Sequence, residues 1–256
     1  MRAEWNVLVR RPTGRLALLV GSFLPMIVTI FYCTLQDSDV QFNNKSVSEL
    51  LSFSGPDAAA KGLYARHFFV MPLFLIALVG QSVAGERINH MLRERAVRPV
   101  SRDRLFLAKL WSLLCISLVT LLVGSVGSLL VATPWLGASG PWLDFLGSVG
   151  LSVLTDFSII VVAFLIAIWV RSSTMVVISG LMLLGLDGVF RLGLSGLGVL
   201  GVSWAPTAHQ MMWGSGLGIW GNTGSNWSWI SLGALAGWTL SAFLLARQRW
   251  NRLDLP

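Results

Sequence analysis

Gly85-Glu-Arg-Ile-Asn-His-Met-Leu-Arg-Glu-Arg-Ala-Val-Arg-Pro-Val-Ser-Arg-Asp-Arg-Leu-Phe-Leu-Ala-Lys109 lies between two apolar runs and holds the densest charge in the chain. Seven basic residues, Arg87, Arg93, Arg95, Arg98, Arg102, Arg104 and Lys109, stand against Glu86, Glu94 and Asp103. Such an excess of positive charge beside apolar segments marks the side of a membrane on which the stretch resides. Working outward, hydrophobic residues make up 54% of the 256-residue chain, charged residues only 12%, and mean hydropathy is +0.70. A soluble domain carries roughly 25% charged residues to cover its surface, so the composition predicts an all-α integral membrane protein. The sequence pI near 10.4 reflects arginines spread over separate loops rather than one basic face, which argues against a nucleic-acid partner. Cys33 and Cys115 both sit inside apolar runs, where a thiol behaves as a small hydrophobe, and their number offers no disulfide framework or metal spacing.

A helix needs about 20 apolar residues to cross a bilayer core of about 30 Å. Six segments satisfy this or come close: 16–35, 67–84, 110–132, 146–170, 175–190 with an extension into the glycine-laden 192–202, and 229–246. Arg10, Arg11 and Arg15 precede an apolar run too long for a signal-peptide core, so that run reads as a retained helix. The fourth and fifth segments meet at Arg171-Ser-Ser-Thr174 and are expected to form a helical hairpin. Lys and Arg are counted at the segment ends, because short basic loops resist translocation. The ends near Arg2–Arg15, the island, Arg171 and Arg247–Arg252 hold 15 of the 19 basic residues. Lys45, Lys61 and Arg66 fall on the opposite side, and Arg191 lies in or near the fifth segment. Both termini and the island are thereby expected in the cytosol.

Three outer connections follow. Residues 36–66 form a polar loop too short for a substantial domain of its own. Residues 133–145, with Pro134, Trp135, Pro141 and Trp142, read as an interfacial turn with aromatic anchors. Residues 201–226 set Trp204, Trp213 and Trp220 among glycines, which suits a half-buried or re-entrant segment and offers a landing site for an outer partner protein.

Inside the island, Ile88, Met91 and Leu92 repeat at helical spacing while Arg87, Asn89, Arg93 and Glu94 occupy other faces, giving a short amphipathic helix over 86–97. Arg98-Pro99 ends it, since proline disfavours the α region in the residue before it. Ser101 then caps the next helix, with Asp103 in the first turn where the helix dipole favours an acid. From the residues alone, such a helix either rests on anionic lipid headgroups or docks on a partner.

The island resembles that of the type 2 permeases of ATP-binding-cassette (ABC) transporters, whose second and third spans are joined by a cytosolic coupling helix. Glu86-Arg87, Leu92, Pro99-Val100-Ser101-Arg102 and Ala108-Lys109 fall at the family's spacing. His90 and Met91 stand where the family has Gly-Thr, Arg93 where it has an acid, and Arg95-Ala96 within its Leu-rich run. The resemblance implies a six-helix permease with an interfacial elbow helix at Met1–Arg15, paired with a second permease copy and a separate cytosolic ABC ATPase. It also implies residence in a bacterial-type inner membrane. ATP and Mg would sit on that ATPase, and this chain would hold no cofactor or metal of its own; it carries no Gly-x-x-x-x-Gly-Lys-[Ser/Thr] loop. Glu86, Arg87, Ile88, Met91, Leu92, Arg95, Arg98, Pro99, Ser101 and Arg102 would form the coupling region. Ile88, Met91 and Leu92 would fill a groove on the ATPase, and Arg87, Arg95 and Arg98 would pair with its acids.

Ionisable groups within spans are costly and often functional. Asp187 and Arg191, one helical turn apart, are expected to pair with each other. Asp156 is a candidate for lining a central cavity or for pairing with Arg191. Gly124-x-x-x-Ser128 and Gly233-x-x-x-Gly237 allow close helix approach. Two other functions compete with the permease. An intramembrane enzyme would need clustered bases, whereas His67, His90 and His209 are far apart in sequence. An ion-translocating or scaffold protein would use Asp156 and Asp187.

Overall fold

The computed structural model describes residues 2–37, 41–42, 45–46, 54–68, 70–88, 101–170, 172–195 and 229–252. Its elements are α1 (Arg2–Arg10), α2 (Pro12–Gln36), the two-residue strands β1 (Gln41–Phe42) and β2 (Lys45–Ser46), α3 (Gly55–Phe68), α4 (Val70–Val79), a π-helical turn (Gly80–Gly85), α5 (Glu86–Ile88), α6 (Arg102–Leu136), α7 (Trp142–Trp169), α8 (Ser173–Ser195) and α9 (Trp229–Asn251). The strands pair antiparallel, Gln41 opposite Ser46. The architecture is a bundle of helices, as the composition predicts. Among the described residues, four stretches, Pro12–Gln36, Val70–Ile88, Arg102–Leu136 and Phe145–Trp169, are long and apolar enough to cross a bilayer.

Helix α2 starts where its sequence allows. Arg11 is extended (φ −70°, ψ 142°) and Pro12 takes the first helical turn, where its missing N–H is no loss. The chain folds back so tightly that a Cβ on Gly14 would run into the Leu8 carbonyl oxygen, so α1 lies against the foot of α2. Helix α2 then packs along α6. A Cβ on Gly124 would lie 3.0 Å from Pro25 Cγ and 3.3 Å from the Ser22 carbonyl oxygen, so the Gly124-x-x-x-Ser128 pattern does bring two helices close. Helix α7 packs on α3, α4, α6 and α9, and α8 folds back against α4 and the π-helical turn. Helix α7 ends at Trp169, α8 starts at Ser173, and the two pack against each other; Arg171, where the hairpin turn is expected, lies outside the described residues.

The core at the end bearing the N-terminus joins Leu8, Ala17, Met71, Leu75, Leu78, Leu113, Ile116, Phe164 and Trp250. A smaller cluster toward the other end joins Ala59, Ala60, Leu63, Leu121 and Phe145. The first end is called basal below, the other distal.

One boundary departs from expectation. The polar loop placed over 36–66 is helical from Gly55 onward, and the second helical stretch begins there rather than at His67. Ser54 and Asp57 cap it reciprocally: the Ser54 hydroxyl donates to Asp57 Oδ2 at 2.7 Å, and the Asp57 N–H donates back to Ser54 Oγ at 3.4 Å. Ala58, Ala59, Ala60 and Leu63 are buried, and so are Lys61 and Arg66. Hydropathy averaging hides this helix, because its buried face is built from small residues and two cations. The helices also run past their apolar windows by several residues, as in α2 and α6, since polar first turns project beyond the apolar stretch.

Candidate functional site: polar ties at the base and in the middle of the bundle

Lys109 enters the bundle from the first turns of α6 and is 1% exposed. Its ammonium donates to Glu86 Oε2 at 2.6 Å, to the Ser82 carbonyl oxygen at 2.9 Å and to Glu4 Oε2 at 3.4 Å. Three donors meet three acceptors. Glu86, 2% exposed, uses its other oxygen to accept from Arg11 Nη2 at 3.1 Å. Two acids and two bases from α1, the α1–α2 junction, α5 and α6 therefore neutralise one another inside the base of the bundle. Beside them the Thr13 hydroxyl donates to Gln81 Oε1 at 2.7 Å. Arg87 turns the other way and donates from Nη1 to the Ile168 carbonyl oxygen at 3.0 Å, placing a cation at the C-terminal end of α7 where the helix dipole favours it.

The far end of the island is fixed too. Ser101 is extended (φ −62°, ψ 144°) and its side chain accepts from the Arg104 N–H, the N-cap its position in the sequence suggests. Asp103 receives two bonds from Arg247, each 3.1 Å, and a third from Asn251 Nδ2 at 3.0 Å. Arg102 Nη1 donates to the Asn251 carbonyl oxygen at 3.1 Å, and Trp250 Nε1 donates to the Arg102 carbonyl oxygen at 2.9 Å. The last turn of α9 is thus latched to the first turn of α6. Behind the latch, Phe106 meets Phe164 edge-on at 5.0 Å, with Trp250 5.5 Å from Phe164, and Arg249 lies 4.4 Å over the Trp169 ring.

Of the coupling-region candidates, Glu86, Arg87, Ile88, Ser101 and Arg102 are placed: Glu86 is buried, Arg87 is half-buried, and Ile88 and Arg102 are exposed. Met91, Leu92, Arg95, Arg98 and Pro99 lie outside the described residues, as does the stop expected at Arg98-Pro99. What the structure adds is Lys109 as the partner that joins the island's two ends, Glu86 at its start and Lys109 at its finish.

A second polar cluster occupies the middle of the bundle. Arg66 and Asp156 are both fully buried. Arg66 Nη2 lies 3.0 Å from Asp156 Oδ2 and donates to Thr120 Oγ1 at 2.7 Å and to the Ser117 carbonyl oxygen at 3.2 Å. The Ser117 hydroxyl donates to Asp156 Oδ2. From Lys109 to Ser117, α6 rises about 12 Å, so this cluster sits roughly half a bilayer core above the base. Asp156, singled out from sequence, therefore meets Arg66, which sequence reasoning had counted as a loop charge. The usable signal was complementarity: a buried-span acid and a Ser/Thr pair on α6 require a cation, and Arg66 lies among alanine, glycine and leucine. Asp187 and Arg191 fall on α8, and their side chains lie outside the described residues. Among the described residues, no group of three or more His, Cys, Asp or Glu side chains could hold a metal ion.

Chemically, this arrangement holds elements together. It ties a charged segment to the bundle through buried ion pairs and links three helices halfway up. In comparison with known proteins, a family model described as ABC-2 family transporter protein matches residues 2–186. No curated protein matches the chain.

Proposed function

The chain belongs to the ABC-2 transporter family, a multi-pass membrane family of ABC transporter permease subunits, and on that premise we propose that it couples ATP hydrolysis on a separate cytosolic ATPase to substrate export or force transmission. The observation that carries this reading is the buried Glu86–Lys109 pair of 2.6 Å. It joins the described ends of the island, α5 and the first turns of α6, so a load that reaches the island from the ATPase enters both helices together. Six spans cross a bacterial-type inner membrane, with the island and both termini in the cytosol and α1 as an interfacial elbow. Arginines exposed at the base, such as Arg10, Arg15 and Arg104, face anionic lipid headgroups. A second copy of the permease completes the pathway.

In this assignment Glu86 anchors the loop, Arg87 braces it against α7, and Ser101 and Arg102 relaunch α6 and fix it to α9. Ile88, Met91 and Leu92 fill a groove on the ATPase, and Arg95 and Arg98 pair with its acids. Pro99 ends the coupling helix. ATP and Mg reside on the ATPase, and the chain catalyses no reaction itself. The geometry weighs against an ion-carrying Asp156, whose charge is matched by Arg66 at 3.0 Å. The Trp-rich segment 201–226 is the proposed contact for an outer partner.

The test is co-expression with an ABC ATPase encoded beside this chain's gene, followed by purification in nanodiscs. The two proteins are expected to co-purify, and Met91→Glu or Arg95→Glu is expected to release the ATPase or to remove the permease's effect on its turnover. Complex formation and ATPase rate unchanged in both variants would sink the docking assignment.

A further inference from the structure

The buried Arg66–Asp156 pair is a poor device for stability alone. Desolvating two charges costs several kcal/mol per ion, and well-packed apolar residues of similar volume often do as well or better. Its best-attested use is to fix one arrangement of elements against alternatives. Here the pair joins three elements, α3, α6 and α7, through contacts on Asp156, Thr120 and the Ser117 carbonyl. The same stretch of chain is joined to the same helix a second time, at the base, by Glu86 and Lys109.

What lies between the two ties differs on the two sides. Helix α6 runs unbroken from Arg102 to Leu136 and carries both ties. The facing stretch contains the π-helical turn Gly80–Gly85, a geometry that interrupts the regular ladder and recurs where helices adjust at functional sites. One carbonyl of that turn, Ser82, is itself held by Lys109. A displacement entering through α5 meets that turn before it reaches α3, whereas one entering through α6 reaches the Arg66 contacts along an unbroken helix.

We propose that Arg66 and Asp156 are positioning residues for coupling: a mid-membrane tie that makes the distal halves of α3, α6 and α7 move as one body when the basal pair Glu86–Lys109 is displaced. This rests on the permease reading above. The tie touches neither substrate nor ATPase, and it acts by fixing the register of the helices that do.

The experiment uses the full permease–ATPase complex in nanodiscs and compares hydrogen exchange with ADP and with ATP plus vanadate. Two peptides are read: one covering residues 86–104 at the base, one covering the distal start of α3, residues 54–63, which the tie joins to α6. In the native complex both are expected to change protection on trapping. With Arg66→Met and Asp156→Leu combined, the complex is expected to assemble, the basal change to remain and the distal change to be lost. Arg66→Lys, which keeps the charge, is expected to restore part of it. A distal change that persists undiminished in the double variant overturns the tie, as does failure of that variant to fold, which would make the pair a stabilising element only. A native complex with a basal change and no distal one also overturns the tie. No basal change in the native complex overturns the permease reading first, and the tie with it.

Discussion

Lys109 shows how far a single residue's chemistry can be followed. Its ammonium has three hydrogens, and Glu86, Ser82 and Glu4 supply three acceptors in a site that is almost fully enclosed. Removing one member of a buried pair costs about 3–5 kcal/mol, because the remaining charge stays buried without its partner. Lys109→Met is therefore expected to lower stability by about 3 kcal/mol or more, read from unfolding in mixed micelles by the intrinsic tryptophan signal. Adding Glu86→Gln to Lys109→Met is expected to recover part of that loss, since Lys109→Met leaves the two acids Glu4 and Glu86 facing Arg11 as the one cation of the cluster, and the second change removes the surplus negative charge. Equal stability of Lys109→Met and the native chain would mean that the pair is not formed in the membrane. Glu86 and Lys109 were both visible in the sequence as members of a charged island, but their meeting was not. A one-dimensional reading assigns charge to a side of the membrane, while the fold turns these two residues inward and leaves Ile88 and Arg102 outside.

At the scale of helices, legibility follows the origin of each element. Helices α2, α6 and α7 rest on long apolar runs, and their existence could be read directly; the polar start Pro12–Arg15 of α2 was missed, whereas that of α6 was legible in the Ser101 cap and Asp103. Helix α3 could not be read this way, because Lys61 and Arg66 interrupt its apolar residues and its buried face is mostly alanine. Its start was nonetheless written in Ser54 and Asp57, a reciprocal cap that a search for apolar windows passes over. Small residues had the opposite fate: two similar glycine patterns, one real contact among the described residues. Gly124 meets Pro25 and the Ser22 carbonyl, whereas Gly237 on α9 is exposed with nothing within 4 Å of a Cβ placed there. Gly124→Ile is expected to destabilise by about 1–3 kcal/mol through forced separation of α2 and α6. Gly237→Ala in the isolated chain is expected to be neutral or to stabilise by up to about 1 kcal/mol, the helix-propensity difference. The same mixed-micelle unfolding measures both, and a reversed order would contradict the packing of α2 on α6.

For the whole molecule, the two polar layers define a direction. The basal layer gathers Glu4, Arg11, Glu86, Lys109, Asp103 and Arg247, whereas the opposite end is a turn at Gly137–Pro141 with a positive φ of 79° at Gly137 and 153° at Gly140, conformations that suit glycine. Helix α6 connects the two ends, and at 1.5 Å per residue it is about 50 Å long, more than the hydrocarbon core requires. Its ends must therefore emerge on opposite sides, with Arg104 in one aqueous phase and Ser139, just past its far end, in the other. Because basic residues resist translocation, the Arg104 side is the proposed cytosol. Single cysteines at Arg104 and Ser139, in a chain with Cys33→Ala and Cys115→Ala, test this in intact cells with a membrane-impermeant maleimide. Ser139→Cys is expected to label without lysis, and Arg104→Cys only after it. Labelling of both from outside would break the span assigned to α6, and the reverse pattern would invert the protein, placing the charged loop where no cytosolic ATPase could reach it.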